Sequence, residues 1–174
     1  MKQKILAIGA ILIVLSACED KKKPQAPPPI EPTGGTVGCE IFFNNTNANA
    51  VQNGALNPRF ALTKEDPSEL CAIETYHWNG GAGKVPGKKD FILLINKTTN
   101  VKYGPWPVTA TAGQGGAKNV NWQALVIPRI ELKPGDYEVI DSDPPSWSWN
   151  ATSLDKDQPP KAAGFAKVWL AHTQ

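Results

Sequence analysis

The chain has 174 residues, with 18 Lys and Arg against 16 Asp and Glu. Lys2 and Lys4 fall within the first 17 residues, and without them cations and acids balance at 16 each. A near-neutral chain offers no electrostatic case for nucleic acid or for an anionic membrane surface as a partner.

Met1-Lys2-Gln3-Lys4 is a short basic start, Ile5 to Leu15 is an apolar run, and Ser16-Ala17 lead into Cys18. This is the pattern of a secretory signal peptide, removed from the mature chain. The apolar run of about 11 residues is too short for a bilayer span, which takes ~20. Its end, Leu15-Ser16-Ala17-Cys18, resembles the lipobox of bacterial lipoproteins. That resemblance implies a diacylglycerol on the Cys18 sulfur, cleavage before Cys18, and acylation of the new amino group by palmitate or a similar chain. The expected location is the bacterial cell envelope, with the membrane as a partner through lipid at Cys18. Two or more acyl chains are needed for stable anchoring, at about 0.8 kcal/mol per buried methylene. Glu19-Asp20 favours inner-membrane retention in some lineages only, so inner and outer membrane both stay open.

Residues 18–36 read as the lipidated cysteine and a linker. Pro24, Pro27, Pro28, Pro29 and Pro32 are followed by Gly34-Gly35, with few apolar residues to offset chain entropy. Lys21-Lys22-Lys23 reads as a solvated spacer or a headgroup contact. Residues 37–174 then form one domain of ordinary size. Its two cysteines, Cys39 and Cys71, are an even pair in an exported chain and are expected to form a disulfide.

Helical periodicity is missing from this domain. Short apolar or alternating runs occur at 37–43, 59–63, 70–78, 91–96, 108–112, 120–127, 137–141 and 164–170. Asn-, Gly- and Pro-rich turns separate them. The expected fold is all-β: an antiparallel β-sandwich, jelly-roll or Greek-key-like, of about eight strands. In Leu132-Lys133-Pro134-Gly135-Asp136-Tyr137, Pro134 presets φ at one turn position and Gly135 supplies positive φ at the next. Leu132 and Tyr137 flank the turn as in the tyrosine corner of Greek-key sandwiches, which makes Tyr137 structural.

Six tryptophans are many for such a domain, and most lie beside turns and amide or carboxylate side chains. Flat rings next to Asn and Asp suit a sugar, whose C–H face stacks while its hydroxyls bond to the polar groups. Tyr76, His77, Trp78, Trp106, Asp141, Asp143, Trp147 and Asn150 are the candidate ligand-binding residues. If residues 146–149 are extended, Trp147 and Trp149 share one face. Tryptophan is also a common core residue, and for any single one the core is the expected place.

Asp141-Ser142-Asp143 places two carboxylates close together and raises calcium as a cofactor, with Asp141 and Asp143 as weak metal candidates. The EF-hand pattern fails, and Asp-Pro commonly opens a turn. No catalytic residue is assigned. G-x-S-x-G and H-E-x-x-H are missing, and His77 beside a carboxylate is explained by hydrogen bonding at a strand end. The expectation is a non-enzymatic protein that binds a polar ligand, with a glycan as the leading candidate. The alternatives are an assembly module docking another envelope protein, and a glycan hydrolase with two facing carboxylates.

Across Ile41 to Leu170 the chain also resembles an uncharacterised family of exported bacterial domains. The shared order is Thr75–Gly83 (TYHWN followed by glycines), Tyr103–Trp106 (YGPW), Asn119–Trp122, Leu132–Tyr137 and the Asp141–Asn150 loop (DSDP-x-x-WS-x-N), closed by Gly164-Phe165. A glycine-rich turn expected after Asn150 is replaced by Leu154–Lys161. The family carries no established reaction or ligand.

Overall fold

A computed structural model of the chain describes residues 38–113, 116–153 and 163–173. The signal peptide, Cys18, the spacer and the Leu154–Lys161 segment lie outside the described residues.

Among the described residues, eleven strands run in chain order as β1 (Glu40–Asn44), β2 (Gln52–Asn53), β3 (Arg59–Leu62), β4 (Glu69–Tyr76), β5 (Phe91–Asn96), β6 (Val101–Pro107), β7 (Thr109–Thr111), β8 (Asn121–Glu131), β9 (Gly135–Asp141), β10 (Ser148–Trp149) and β11 (Ala166–Ala171). They form a five-stranded sheet, β1-β11-β4-β8-β7, a four-stranded sheet, β3-β9-β5-β6, and a two-stranded ribbon, β10-β2. All named pairings are antiparallel. The architecture is the expected antiparallel β-sandwich. Among the described residues, no helix is long and apolar enough to cross a membrane.

Alternation dictates which side of each strand is buried. In β5, Ile92, Leu94 and Asn96 point inward while Phe91, Leu93 and Ile95 are partly exposed. Phe60, Ile92, Leu94, Tyr137 and Val139 from the four-stranded sheet meet Leu70, Ile73, Ala124, Val168 and Leu170 from the five-stranded sheet in one core. Phe60 stacks on Tyr137 with ring centroids 5.3 Å apart, and Phe43 stacks on Phe60 at 5.5 Å. These contacts bind the edge strands β1 and β3 to the centre, adding to plain area burial.

The tyrosine corner forms as read from the sequence. Tyr137 Oη donates to the Lys133 carbonyl at 2.6 Å, Leu132 is buried, and Gly135 has φ +150°. Cys39 and Cys71 are joined by a disulfide whose Cα atoms lie 6.4 Å apart. It fastens the entry to β1 onto β4.

Each of the eight expected strand segments overlaps an observed strand, and Phe91–Asn96 matches end to end. Three strands were not expected, β6 and the two-residue β2 and β10. Strand β6 contains Gly104-Pro105, a pair that reads as a turn; it is accommodated at a bulge on an edge strand, where Ile92 pairs with Trp106 but Leu94 pairs with Tyr103. Strands β2 and β10 have two residues each, too few to show alternation. β8 continues past Pro128, where the sequence suggested an end. It does so through a bulge: Leu70 pairs with Ile130 but Ala72 pairs with Leu125. Four residues of β8, 126–129, thus face one of β4, and Ile127 stands 72% exposed.

Candidate ligand-binding site

The end of β4 sets the parity of the site. Thr75 and His77 point into the interior, while Tyr76 and Trp78 lie on the outer side and stay partly exposed. Inside, the His77 ring stacks on Trp122 with centroids 3.9 Å apart. Trp122 is held by its own N–H, which donates to the Lys84 carbonyl at 2.6 Å.

The loop after β9 closes over this ring. Thr75 Oγ1 donates to Asp141 Oδ2 at 2.6 Å, and His77 Nε2 lies 3.2 Å from the same oxygen. The other Asp141 oxygen accepts the backbone N–H of Asp143 at 2.7 Å. On the far side of the ring, His77 Nδ1 is 2.8 Å from Ser146 Oγ, which donates to Asp143 Oδ2 at 2.6 Å. Asp143 also faces Lys84 Nζ at 3.5 Å.

Ser146, His77 and Asp141 thus line up as hydroxyl, imidazole and carboxylate, the three groups of a hydrolytic triad. Two details make this chain a structural tie. The Ser146 hydroxyl gives its proton to Asp143, away from the imidazole. The backbone N–H groups of Ser146 and Trp147 both donate to the Asp143 carbonyl within the turn, so neither is free to meet an oxyanion.

The eight candidate residues divide. Asp141 pairs with Ile92, and Ile92 pairs with Trp106, so Trp106, His77 and Asp141 gather at one end of the sandwich. His77, Asp141, Trp147 and Asn150 are turned inward and buried. The Trp147 N–H donates to the Phe165 carbonyl at 2.9 Å. The Asn150 oxygen accepts from the backbone N–H of Thr152 and Ser153 at 3.0 and 3.1 Å, and its amide exchanges bonds with Asn47 at 2.6 and 3.1 Å. Their polar groups are committed to the fold. Residues 144–146 form a turn, and the extended segment is limited to Ser148–Trp149. Trp147 therefore goes to the core while Trp149 stays partly exposed.

What faces outward is a smaller aromatic patch. Tyr76 and Trp78 stack nearly parallel, 17° apart with centroids at 6.4 Å. Burial raises the Tyr76 phenol above its ordinary pKa, so it stays a neutral donor. Beside them runs a chain of polar bonds that the sequence did not reveal. The Trp78 backbone N–H donates to Ser148 Oγ at 2.7 Å, Ser148 Oγ to Asn53 Oδ1 at 3.2 Å, and Asn53 Nδ2 to Asn79 Oδ1 at 2.6 Å. The Trp149 indole N–H donates to the Asn53 carbonyl at 3.3 Å. Asn53 therefore connects the two aromatic segments. Its only sequence signal was an Asn-Gly dipeptide, which also marks any ordinary turn.

Asp141, one of the two calcium candidates, has both oxygens occupied by protein donors. Among the described residues, no group of three or more His, Cys, Asp or Glu side chains is placed to hold a metal ion. No protein-family model, curated protein or solved structure matches this chain.

Proposed function

We propose that this is a lipid-anchored protein of the bacterial envelope whose sandwich binds a polar ligand, a glycan above all, without catalysis. The lipobox-like Leu15–Cys18 supports the anchor, and the proline-rich spacer supports a domain held off the bilayer. The observation that carries the binding reading is the Tyr76–Trp78 stack next to the exposed Asn53–Asn79 amide pair. Ring faces for the C–H side of a sugar and amides for its hydroxyls are side by side there.

The test is a titration of tryptophan fluorescence against envelope and plant glycans, with and without calcium. A saturable shift abolished by Trp78→Ala, with the fold intact by circular dichroism, is the expected result. A flat response across the panel would sink the glycan reading. A calcium requirement would bring Asp143 back as a ligand.

A second reading rests on the outer face of the five-stranded sheet. Ile41, Trp169, Ala72 and Leu125 form one cross-strand row over β1, β11, β4 and β8. Ile41 is 52% exposed, and the protruding Ile127 extends the apolar surface. Such a row suits docking to another envelope protein, as an assembly module would require. Co-purification lost on Ile127→Glu but kept on Trp78→Ala would favour this reading.

A further inference from the structure

Behind the aromatic patch, the chain Asp143–Ser146–His77–Asp141 contains three polar contacts. They are Asp143 Oδ2 to Ser146 Oγ at 2.6 Å, Ser146 Oγ to His77 Nδ1 at 2.8 Å, and His77 Nε2 to Asp141 Oδ2 at 3.2 Å. Each needs one proton between its two heavy atoms. With both carboxylates ionised, the Ser146 hydroxyl supplies one and a neutral imidazole supplies one. Thr75 cannot supply the third, because its hydroxyl donates to Asp141 Oδ2 at 2.6 Å and can only accept from Nε2 at 3.2 Å. Two protons do not satisfy three contacts.

We propose that this chain holds one additional proton, carried on His77, and that the resulting imidazolium locks the loop of residues 142–147 onto the end of β4. The surroundings suit a cation there. The ring is fully buried, where charge is tolerated only when paired, and Asp141 pairs with it directly. Trp122 of β8 presents its indole face at 3.9 Å, a further favourable contact for a cation. The charged groups on the elements around the ring are Asp141 of β9, Asp143 of the loop and Lys84 of the segment after β4. Two carboxylates are thereby balanced by the imidazolium and the Lys84 ammonium. Removing the proton leaves one contact with acceptor facing acceptor, and the loop that carries Trp147 and leads into Ser148 loses a fastening. This inference goes beyond the ligand reading and does not depend on it.

The experiment is ring-nitrogen NMR of the full chain labelled with 15N-histidine, in a His172→Gln background so that one ring is observed. At about pH 7, both His77 nitrogens are expected to carry protons; a ring with a single protonated nitrogen overturns the proposal. Asp143→Asn supplies the missing proton from its amide, which donates to Ser146 and frees the hydroxyl for Nδ1. The ring in that variant is expected to be neutral, with its proton on Nε2, and a doubly protonated ring there contradicts the proton count. His77→Phe, which keeps a ring against Trp122 and removes both nitrogen contacts, should speed amide exchange at Trp147 and Ser148 about tenfold or more at unchanged pH, the loss of at least one hydrogen bond. An unchanged protection factor overturns the locking role.

Discussion

The indole of Trp147 lies on the backbone of Gly164. A Cβ built at Gly164 would stand 2.3 Å from Cε2 of the ring and 2.6 Å from Cδ2. Both partners are tied down around this contact: the Gly164 N–H donates to the Leu56 carbonyl at 2.7 Å, and its carbonyl accepts from Asn45 Nδ2 at 2.8 Å. Neither segment can step aside cheaply. Gly164→Ala is therefore expected to destabilise the domain by about 1–3 kcal/mol, the usual range for overpacking. Urea unfolding followed by near-ultraviolet circular dichroism measures it, and a wild-type midpoint would show that the contact yields.

The disulfide between Cys39 and Cys71 closes a loop with a sequence separation of 32. In the chain-entropy model such a loop contributes about 3–4 kcal/mol by restricting the unfolded chain. Paired substitution of both cysteines by serine should lower the urea midpoint by that equivalent and leave the urea slope higher or unchanged, because the freed unfolded chain exposes more surface. Reductant should shift the wild type and leave the double variant where it is. A double variant as stable as the oxidised wild type would show that the strands hold β1 without the bond.

Tyr137 couples stability to alkaline pH. Burial pushes its phenol well above the ordinary tyrosine range, with Tyr103 adding to the rise, and the neutral hydroxyl donates to Lys133. The folded state thus keeps a proton that the unfolded chain releases near pH 10. The associated stability is fully present below about pH 10 and is lost as the pH climbs above it. Tyr137→Phe should cost about 0.5–1.5 kcal/mol at neutral pH for the lost hydrogen bond. Its unfolding free energy should also fall less steeply than the wild type's above about pH 10. Parallel alkaline limbs in the two proteins would remove Tyr137 as the source.

The fold was more legible than the site, for reasons visible in particular residues. Phe91–Ile95 is a continuous apolar run too short for a helix, and its length between polar and turn residues marks β5. Pro134-Gly135 ahead of Tyr137 combines fixed φ with permissive φ, so the corner could be read locally. Strand β6 was hidden because Gly104-Pro105 is a turn signal, absorbed here by a bulge on an edge strand. For the candidate site, residue type singled out side chains that gather near one end of the sandwich without separating inside from outside. Asp141 and Asn150 look like ligand groups in a string of letters, yet Asn150 spends its oxygen on nearby backbone N–H groups and Asp141 divides its two between the Asp143 N–H and Thr75. His77 and Trp78 differ only by strand parity, and parity depended on where β4 ends. Ser146 meets His77 across 69 positions, a distance that no local pattern reports.

Asn53 offers a way to separate binding from folding. Its side chain takes a bond from the buried Ser148 and gives one to Asn79 at the surface, while its backbone carbonyl holds Trp149. Asn53→Ala removes the two side-chain bonds and keeps the third, so a loss of about 1–3 kcal/mol is expected, chiefly from the buried Ser148 hydroxyl left without its acceptor. The platform loses its amide and the restraint on the Trp78 segment, and glycan affinity should fall about tenfold or more, the equivalent of ~1.4 kcal/mol. Trp147→Ala makes the opposite prediction. That side chain fills the core, so the variant should lose about 3–5 kcal/mol of stability while any correctly folded fraction binds with wild-type affinity. Melting curves beside fluorescence titrations of the two variants decide the matter. If Asn53→Ala binds normally and folded Trp147→Ala does not, the ligand enters on the core side of the loop, and the Tyr76–Trp78 face is not where it rests.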